Sequence, residues 1–347
     1  MAVAPGLARS LSRFLKIINP FSREDQLSRL AAMVDIGIER NQKEIFQKLL
    51  SVYQKFENPR IVALTMDMDY MGGGDAIDDF ITQTKTVAEI KTQFPDQLIA
   101  FYGVDPRRPN AFDLLKENVE NYGFTGIKLY PALGFFPFDK RLRKVYEYAI
   151  EKSLPIMTHA DIGGIFYRGN LKSEHLLPLS INPIAPTRSF TEHMGLKKSE
   201  FKDFFSDPQN FEEVLQMPDF RDLKVCFAHY GGGEMIDGVE NASPTGTNWY
   251  NTIKRLLLEY PNTYTDVSYT LHHSNKKIVS KVLNDIRDPK LNHKILFGTD
   301  YYMTSKVKEE ESLIAEFIKN YGLSKEEFFD LSVRNNSNYL STSFFKL

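Results

Sequence analysis

The sequence predicts an α/β fold: a distorted (β/α)8, TIM-like barrel with strand one missing or replaced. Three observations carry this. From about residue 35 onward, short continuous apolar runs alternate with amphipathic helical segments, the pattern of a parallel sheet buried on both faces. Seven such runs are spread over about 300 residues, which suits a barrel better than an open doubly wound sheet. No Gly-x-Gly-x-x-Gly follows the first run, which argues against a dinucleotide-binding sheet.

The elements follow in order. Residues 1–35 form a separate amphipathic segment, with Leu7, Leu11, Phe14 and Leu15 at helical spacing and Arg9, Arg13, Lys16 and Arg23 among them. Such a start reads either as a surface helix packed by its apolar stripe or as a basic targeting segment. Ile38–Phe56 reads as a helix, because Ile38, Ile45, Leu49 and Tyr53 share roughly one face. Strand-like runs follow at Arg60–Met66, Leu98–Val104, Gly126–Tyr130, Pro155–His159, Lys224–His229, Thr263–Ser268 and Lys294–Gly298. Helices are expected at Ile77–Phe94, Phe112–Tyr122 and Arg141–Lys152, between the later strands and after the last. Residues 161–222, with five prolines, are the largest insertion in the barrel domain of 36–347 and are expected to cover one barrel face.

Composition narrows the function. Apolar residues make up 42% and charged residues 25%, as in a folded globular protein. The 45 acidic and 43 basic residues leave a net charge of -2, so a whole-chain electrostatic case for nucleic acid is absent. One cysteine, Cys226, cannot form an internal disulfide. No apolar run approaches the roughly 20 residues that span a bilayer. These features point to a cytoplasmic protein acting on a small molecule, with neither nucleic acid nor membrane as partner.

In a barrel the functional groups gather at the C-terminal ends of the strands. There the sequence places Lys128, His159, His229 and Asp300. Two imidazoles and a carboxylate suit a divalent metal, zinc above all. Such an ion acidifies a bound water, and a nearby carboxylate can take its proton. Each residue alone has a plainer reading: a satisfied polar strand end for a histidine, a helix cap for Asp300, an ion pair for Lys128. Tyr130, Tyr301 and Tyr302 flank the rim and can line an aromatic pocket. His175, Arg188 and His193 lie in the insertion, with Arg188 a candidate for a substrate carboxylate. His272 and His273 read as either substrate contacts or a surface pair, and Trp249 as a packing anchor.

The segments Gly126-Ile-Lys-Leu-Tyr-Pro131, Pro155-Ile-Met-Thr-His-Ala160, Phe227-Ala-His-Tyr-Gly-Gly232 and Leu296-Phe-Gly-Thr-Asp-Tyr301 resemble the amidohydrolase superfamily, and within it the amidohydrolase-related branch of metal-dependent hydrolases. Asn335-Asn-Ser-Asn-Tyr-Leu340 is similar to that branch's closing helix. The resemblance spans roughly residues 60–347. It implies a mononuclear or binuclear metal centre in which His159, His229 and Asp300 are ligands, Asp300 handles the proton of the attacking water, and Lys128 is either a plain lysine or a carboxylated bridge. It also implies hydrolysis of an amide, ester or lactone bond in a small organic substrate, or, on the same scaffold, decarboxylation of an aromatic or unsaturated acid.

One departure stands out. The family's first strand ends in His-x-His, and no histidine precedes His159 here. The early acidic pair Asp67 and Asp69 reads as substitute oxygen ligands or as a polar turn before Gly72. An incomplete metal site makes a non-catalytic relative the rival from another class. A barrel lacking a strand leaves open sheet edges, compatible with a homo-oligomer.

Overall fold

The computed structural model describes residues 41–75, 78–162, 164–172, 175–179, 201–238, 246–268, 275–301, 303–306 and 309–344. The amphipathic segment at 1–35 lies outside the described residues, as do Arg188, His193, His272, His273 and Tyr302.

Seven parallel strands form one curled sheet in chain order: β1 (Ile61–Leu64), β2 (Leu98–Gly103), β3 (Phe124–Leu129), β4 (Ile156–Asp161), β5 (Val225–Gly231), β6 (Thr263–Asp266) and β7 (Ile295–Leu296). Among the described residues β1 and β7 do not pair, so the sheet is a barrel short of one strand. Burial records the open edge. Every residue of β2, β3 and β5 is buried, whereas β1 is partly exposed and Leu64 keeps 38% of its surface.

Helices follow the strands. They are α1 (Gln42–Tyr53) ahead of β1, then α2 (Phe80–Gln93), α3 (Ala111–Tyr122), α4 (Arg143–Lys152), α5 (Phe201–Ser206), α6 (Pro208–Leu215), α7 (Gly233–Asp237), α8 (Trp249–Glu259), α9 (Lys276–Arg287), α10 (Glu310–Tyr321), α11 (Lys325–Phe329) and α12 (Asn335–Leu340). Their starts are legible in sequence. Asp79, Asp207, Asn248, Asn275 and Ser324 each accept a hydrogen bond from a first-turn amide, which satisfies a donor the helix itself cannot. Ser324 and Glu327 complete a reciprocal capping box. No helix among the described residues is long and apolar enough to cross a membrane.

Two apolar layers hold the fold. The larger fills the space between sheet and helices, with Trp249 fully buried as expected of an anchor. The smaller occupies the lumen: Ile99, Phe101, Cys226 and Leu296, closed from below by Tyr339 and Leu340 of α12. The Tyr339 ring lies 5.2 Å from Tyr264 and 6.4 Å from Phe101. The lumen is tight. A Cβ on Gly126 would lie 2.3 Å from the Phe101 ring, so only glycine fits there. Helix α1 and the residues just after it pack against the last helices. Tyr53 donates to Glu310 on α10 at 2.6 Å, and Phe56 packs on Phe328 of α11.

Asp67 and Asp69 follow β1. Their carboxylates are engaged by Arg108 of the β2–α3 loop, which takes Asp67 in a bidentate grip at 2.5 and 2.8 Å and also reaches Asp69. Their structural role is thus an ion-pair clamp between two loops rather than a simple polar turn.

Glu213 on α6 makes a pH-dependent contribution. It is buried, and burial pushes its carboxyl from the ordinary 4.5 up to about 7. Between those values the folded chain holds a proton that the unfolded chain has lost. Stability therefore falls as pH rises from about 4.5 to about 7. Glu213→Gln is expected to exceed wild type by on the order of 1–3 kcal/mol at pH about 8, and by much less at pH about 5, in urea unfolding. An equal gain at both pH values would mean that the effect is not the carboxyl's charge.

Candidate active site

The polar groups of the lumen sit above its apolar floor. Strand residues alternate in direction, so the strands that turn Ile99 and Phe101 inward also turn Lys128 inward level with Cys226, and His159 and Asp266 inward above them. Lys128 is buried on β3, and burial pushes its amine below the ordinary lysine range against the pull of Asp266 and Asp300. Cys226 lies in the same layer, and burial pushes its thiol well up.

At the upper rim β4 delivers His159 and, two residues on, Asp161. The Tyr130 ring lies parallel to the His159 imidazole, with centroids 4.3 Å apart, and the Lys128 ammonium sits 5.5 Å from the Tyr130 ring. The His159 and His229 rings meet edge to face with centroids 5.0 Å apart.

β5 ends in an unusual turn. His229, Tyr230, Gly231 and Gly232 all have positive φ, at 70°, 53°, 81° and 86°. The first two are non-glycine residues in the left-handed region, a strained geometry that clusters at functional sites. The glycines are required. A Cβ on Gly231 would lie 2.7 Å from the Tyr250 backbone nitrogen, and one on Gly232 would lie 1.9 Å from Asp161 Oδ1. The turn therefore seats the Asp161 carboxylate against bare backbone. Burial pushes that carboxyl up, His229 draws it down, and Asp300 and Glu234 push it up again. Asp300, just beyond β7, also has a positive φ of 58°. Its charge is felt by Lys128, Tyr130 and Asp161, so it belongs to the same cluster.

The structure thus brings Lys128, Tyr130, His159, His229 and Asp300 together. The four strand ends are not consecutive, because β6 stands between β5 and β7 and contributes Asp266. Tyr301 is half-buried beside Asp300, in the field of Glu310. His175 of the insertion is packed inside the fold. Its Nδ1 lies 2.9 Å from the Lys172 amide, and its ring packs on Tyr167. Asp161, Asp266 and Ser268 gained no role from sequence, although their place at the C-terminal strand ends was a signal.

Two imidazoles with flanking carboxylates are donors of the right chemical kind for a divalent ion. Their spacing is looser than a formed site: among the described residues no three His, Cys, Asp or Glu side chains are drawn close enough to hold a metal.

The family model described as amidohydrolase matches residues 56–335. The chain belongs to the amidohydrolase family. Its members are enzymes, and the four strand-end segments that resembled the family lie within the match. No curated protein matches the sequence. Solved structures share the barrel. An uncharacterised TIM-barrel protein from Bordetella bronchiseptica is 15% identical, with a TM-score of 0.57 over 90% of this amidohydrolase chain and 89% of that one. A 2,6-dihydroxybenzoate decarboxylase from Rhizobium is 13% identical, with a TM-score of 0.53 over 84% of this chain and 87% of that one. A dihydroxybenzoic acid decarboxylase from Polaromonas, with bound manganese and 2-nitroresorcinol, is 13% identical, with a TM-score of 0.51 over 94% and 92%. At such identities the likeness shows the fold.

Proposed function

We propose that this amidohydrolase-family chain is a metal-dependent decarboxylase of a small aromatic or unsaturated carboxylic acid. The observation that carries the reading is the stacked Tyr130–His159 pair beside His229 and Asp300. It is a flat, aromatic-walled corner with proton-carrying groups at its edge. Decarboxylases of dihydroxybenzoates among the structural relatives favour this over the hydrolysis that the family name suggests.

His159 and His229, completed by Asp300, would hold a divalent ion, zinc or manganese; when bound it supplies positive charge for the substrate's oxygens. The chain's residues do the rest. Tyr130 and Tyr301 offer apolar faces to a planar ring. The bond between ring carbon and carboxylate breaks, carbon dioxide leaves, and the electron pair stays on carbon. A proton taken up from solvent and carried by the free oxygen of Asp300, or by His229 where it is not a ligand of the ion, takes the vacated position, so one proton is consumed per turnover. Lys128, beneath the rim, sets the local field for Asp300. Arg188 remains a candidate partner for the substrate carboxylate.

The test has two readouts. Metal content after dialysis is expected to be about one equivalent in the wild type and to fall in Asp300→Ala. Carbon dioxide release from a panel of hydroxybenzoates, with zinc or manganese supplied, is the second. Cleavage of esters or lactones without carbon dioxide would return the function to hydrolysis. No retained metal and no turnover would favour a non-catalytic relative.

A further inference from the structure

A chain of hydrogen bonds lies behind His229. Ser268 Oγ is 2.9 Å from His229 Nδ1 and also bonds to Asp266 Oδ1. The same Oδ1 accepts from the backbone N–H of His229 at 3.1 Å and from that of Ser268 at 2.9 Å. Cys226 Sγ approaches the other oxygen, Oδ2, at 3.7 Å. Asp266, Ser268 and His229 are all buried, so water does not compete for these bonds.

The protons can be counted along the chain. Backbone amides only donate, and two of them converge on Oδ1, so Oδ1 is an acceptor. Ser268 has one hydroxyl proton, and it goes to Oδ1. The serine oxygen then faces His229 Nδ1 with lone pairs alone. An imidazole nitrogen that meets a lone pair must carry the proton.

We propose that Asp266 and Ser268 are positioning residues that hold His229 as its Nδ1–H tautomer, leaving Nε2 as the basic nitrogen on the side away from Asp266. One carboxylate thereby fixes both the ring and the backbone. It bonds the amide of His229, whose φ of 70° needs outside support, and through Ser268 it sets which ring nitrogen is basic. A partner behind a working imidazole is a common way to orient it and fix its tautomer. The use made of Nε2 rests on the reading of His229 as a site residue; the tautomer itself does not.

The experiment is a long-range proton–nitrogen correlation spectrum of the purified protein, labelled with nitrogen-15 histidine, at a pH above the histidine titration range. His229 is assigned by the loss of its signals in His229→Gln. The expected wild-type pattern is Nδ1–H. Ser268→Ala is expected to shift it toward Nε2–H, the form that a free histidine side chain prefers, and Ser268→Thr, which keeps the hydroxyl, to retain Nδ1–H. A wild-type His229 in the Nε2–H form overturns the proposal, and so does a folded Ser268→Ala that keeps Nδ1–H. If Ser268→Ala does not fold, the wild-type spectrum decides. No turnover is read, so failure of the decarboxylase reading leaves this result standing, and a wrong tautomer leaves the carbon dioxide assay untouched.

Discussion

Asp300→Asn is expected to lower kcat for carbon dioxide release by about 10²–10⁴-fold, the range for losing a positioned acid–base group. The substitution removes the proton-carrying group and also weakens a ligand of the proposed ion, so metal content is measured beside the rate. Asparagine has nearly the same shape and tolerates the left-handed backbone that position 300 adopts at φ 58°. The fold should therefore survive, and thermal melting should match wild type closely. An amide can neither deliver nor accept the proton that decarboxylation consumes. Asp300 also sits where its charge matters, in reach of Lys128, Tyr130 and Asp161. The check is steady-state kinetics beside a melting curve. Unchanged kcat with intact folding would remove Asp300 from the chemistry and leave His229 as the proton donor.

The largest expected loss of stability comes from Arg108→Ala, about 3–5 kcal/mol in urea unfolding. Asp67 is buried, its side chain 1% exposed, and Arg108 is its bidentate partner. Burial already pushes the Asp67 carboxyl up against the pull of Arg108. Removing the arginine leaves a buried carboxyl with its main counter-charge gone. It also removes the guanidinium from beside the Tyr70 and Phe80 rings, 5.2 and 5.1 Å away. The cost should shrink when Asp67→Asn is added, because the stranded charge goes with it. A loss below about 1 kcal/mol, or full additivity in the double variant, would show that the pair behaves as an exposed one.

Much of the fold was legible in residue order. The seven apolar runs became seven parallel strands in the expected sequence. Their ends shifted by a few residues, as Arg60–Met66 did in shortening to Ile61–Leu64. Lys128, His159, His229 and Asp300 were singled out because strand ends in such a fold face one rim. Asp266 and Ser268 carried the same positional signal, yet a buried aspartate after a strand has many uses. Only its three-dimensional neighbours show that it accepts from the backbone N–H of His229, 37 residues earlier in the chain, and reaches that residue's imidazole through Ser268.

By itself, then, the sequence determined the alternation of strand and helix, the identity of the strand-end groups and the lack of an early His-x-His. Those features are local: periodicity, composition and position within a run. The tertiary structure decided what depends on distance between remote segments. It gave Asp67 and Asp69 to Arg108, buried His175 against Tyr167, stacked Tyr130 on His159, and seated Asp161 against a backbone that only glycine permits. Curling the sheet brings these residues together across tens of positions, and hydrogen bonds and charge act over a few ångströms of space, whatever the separation along the chain.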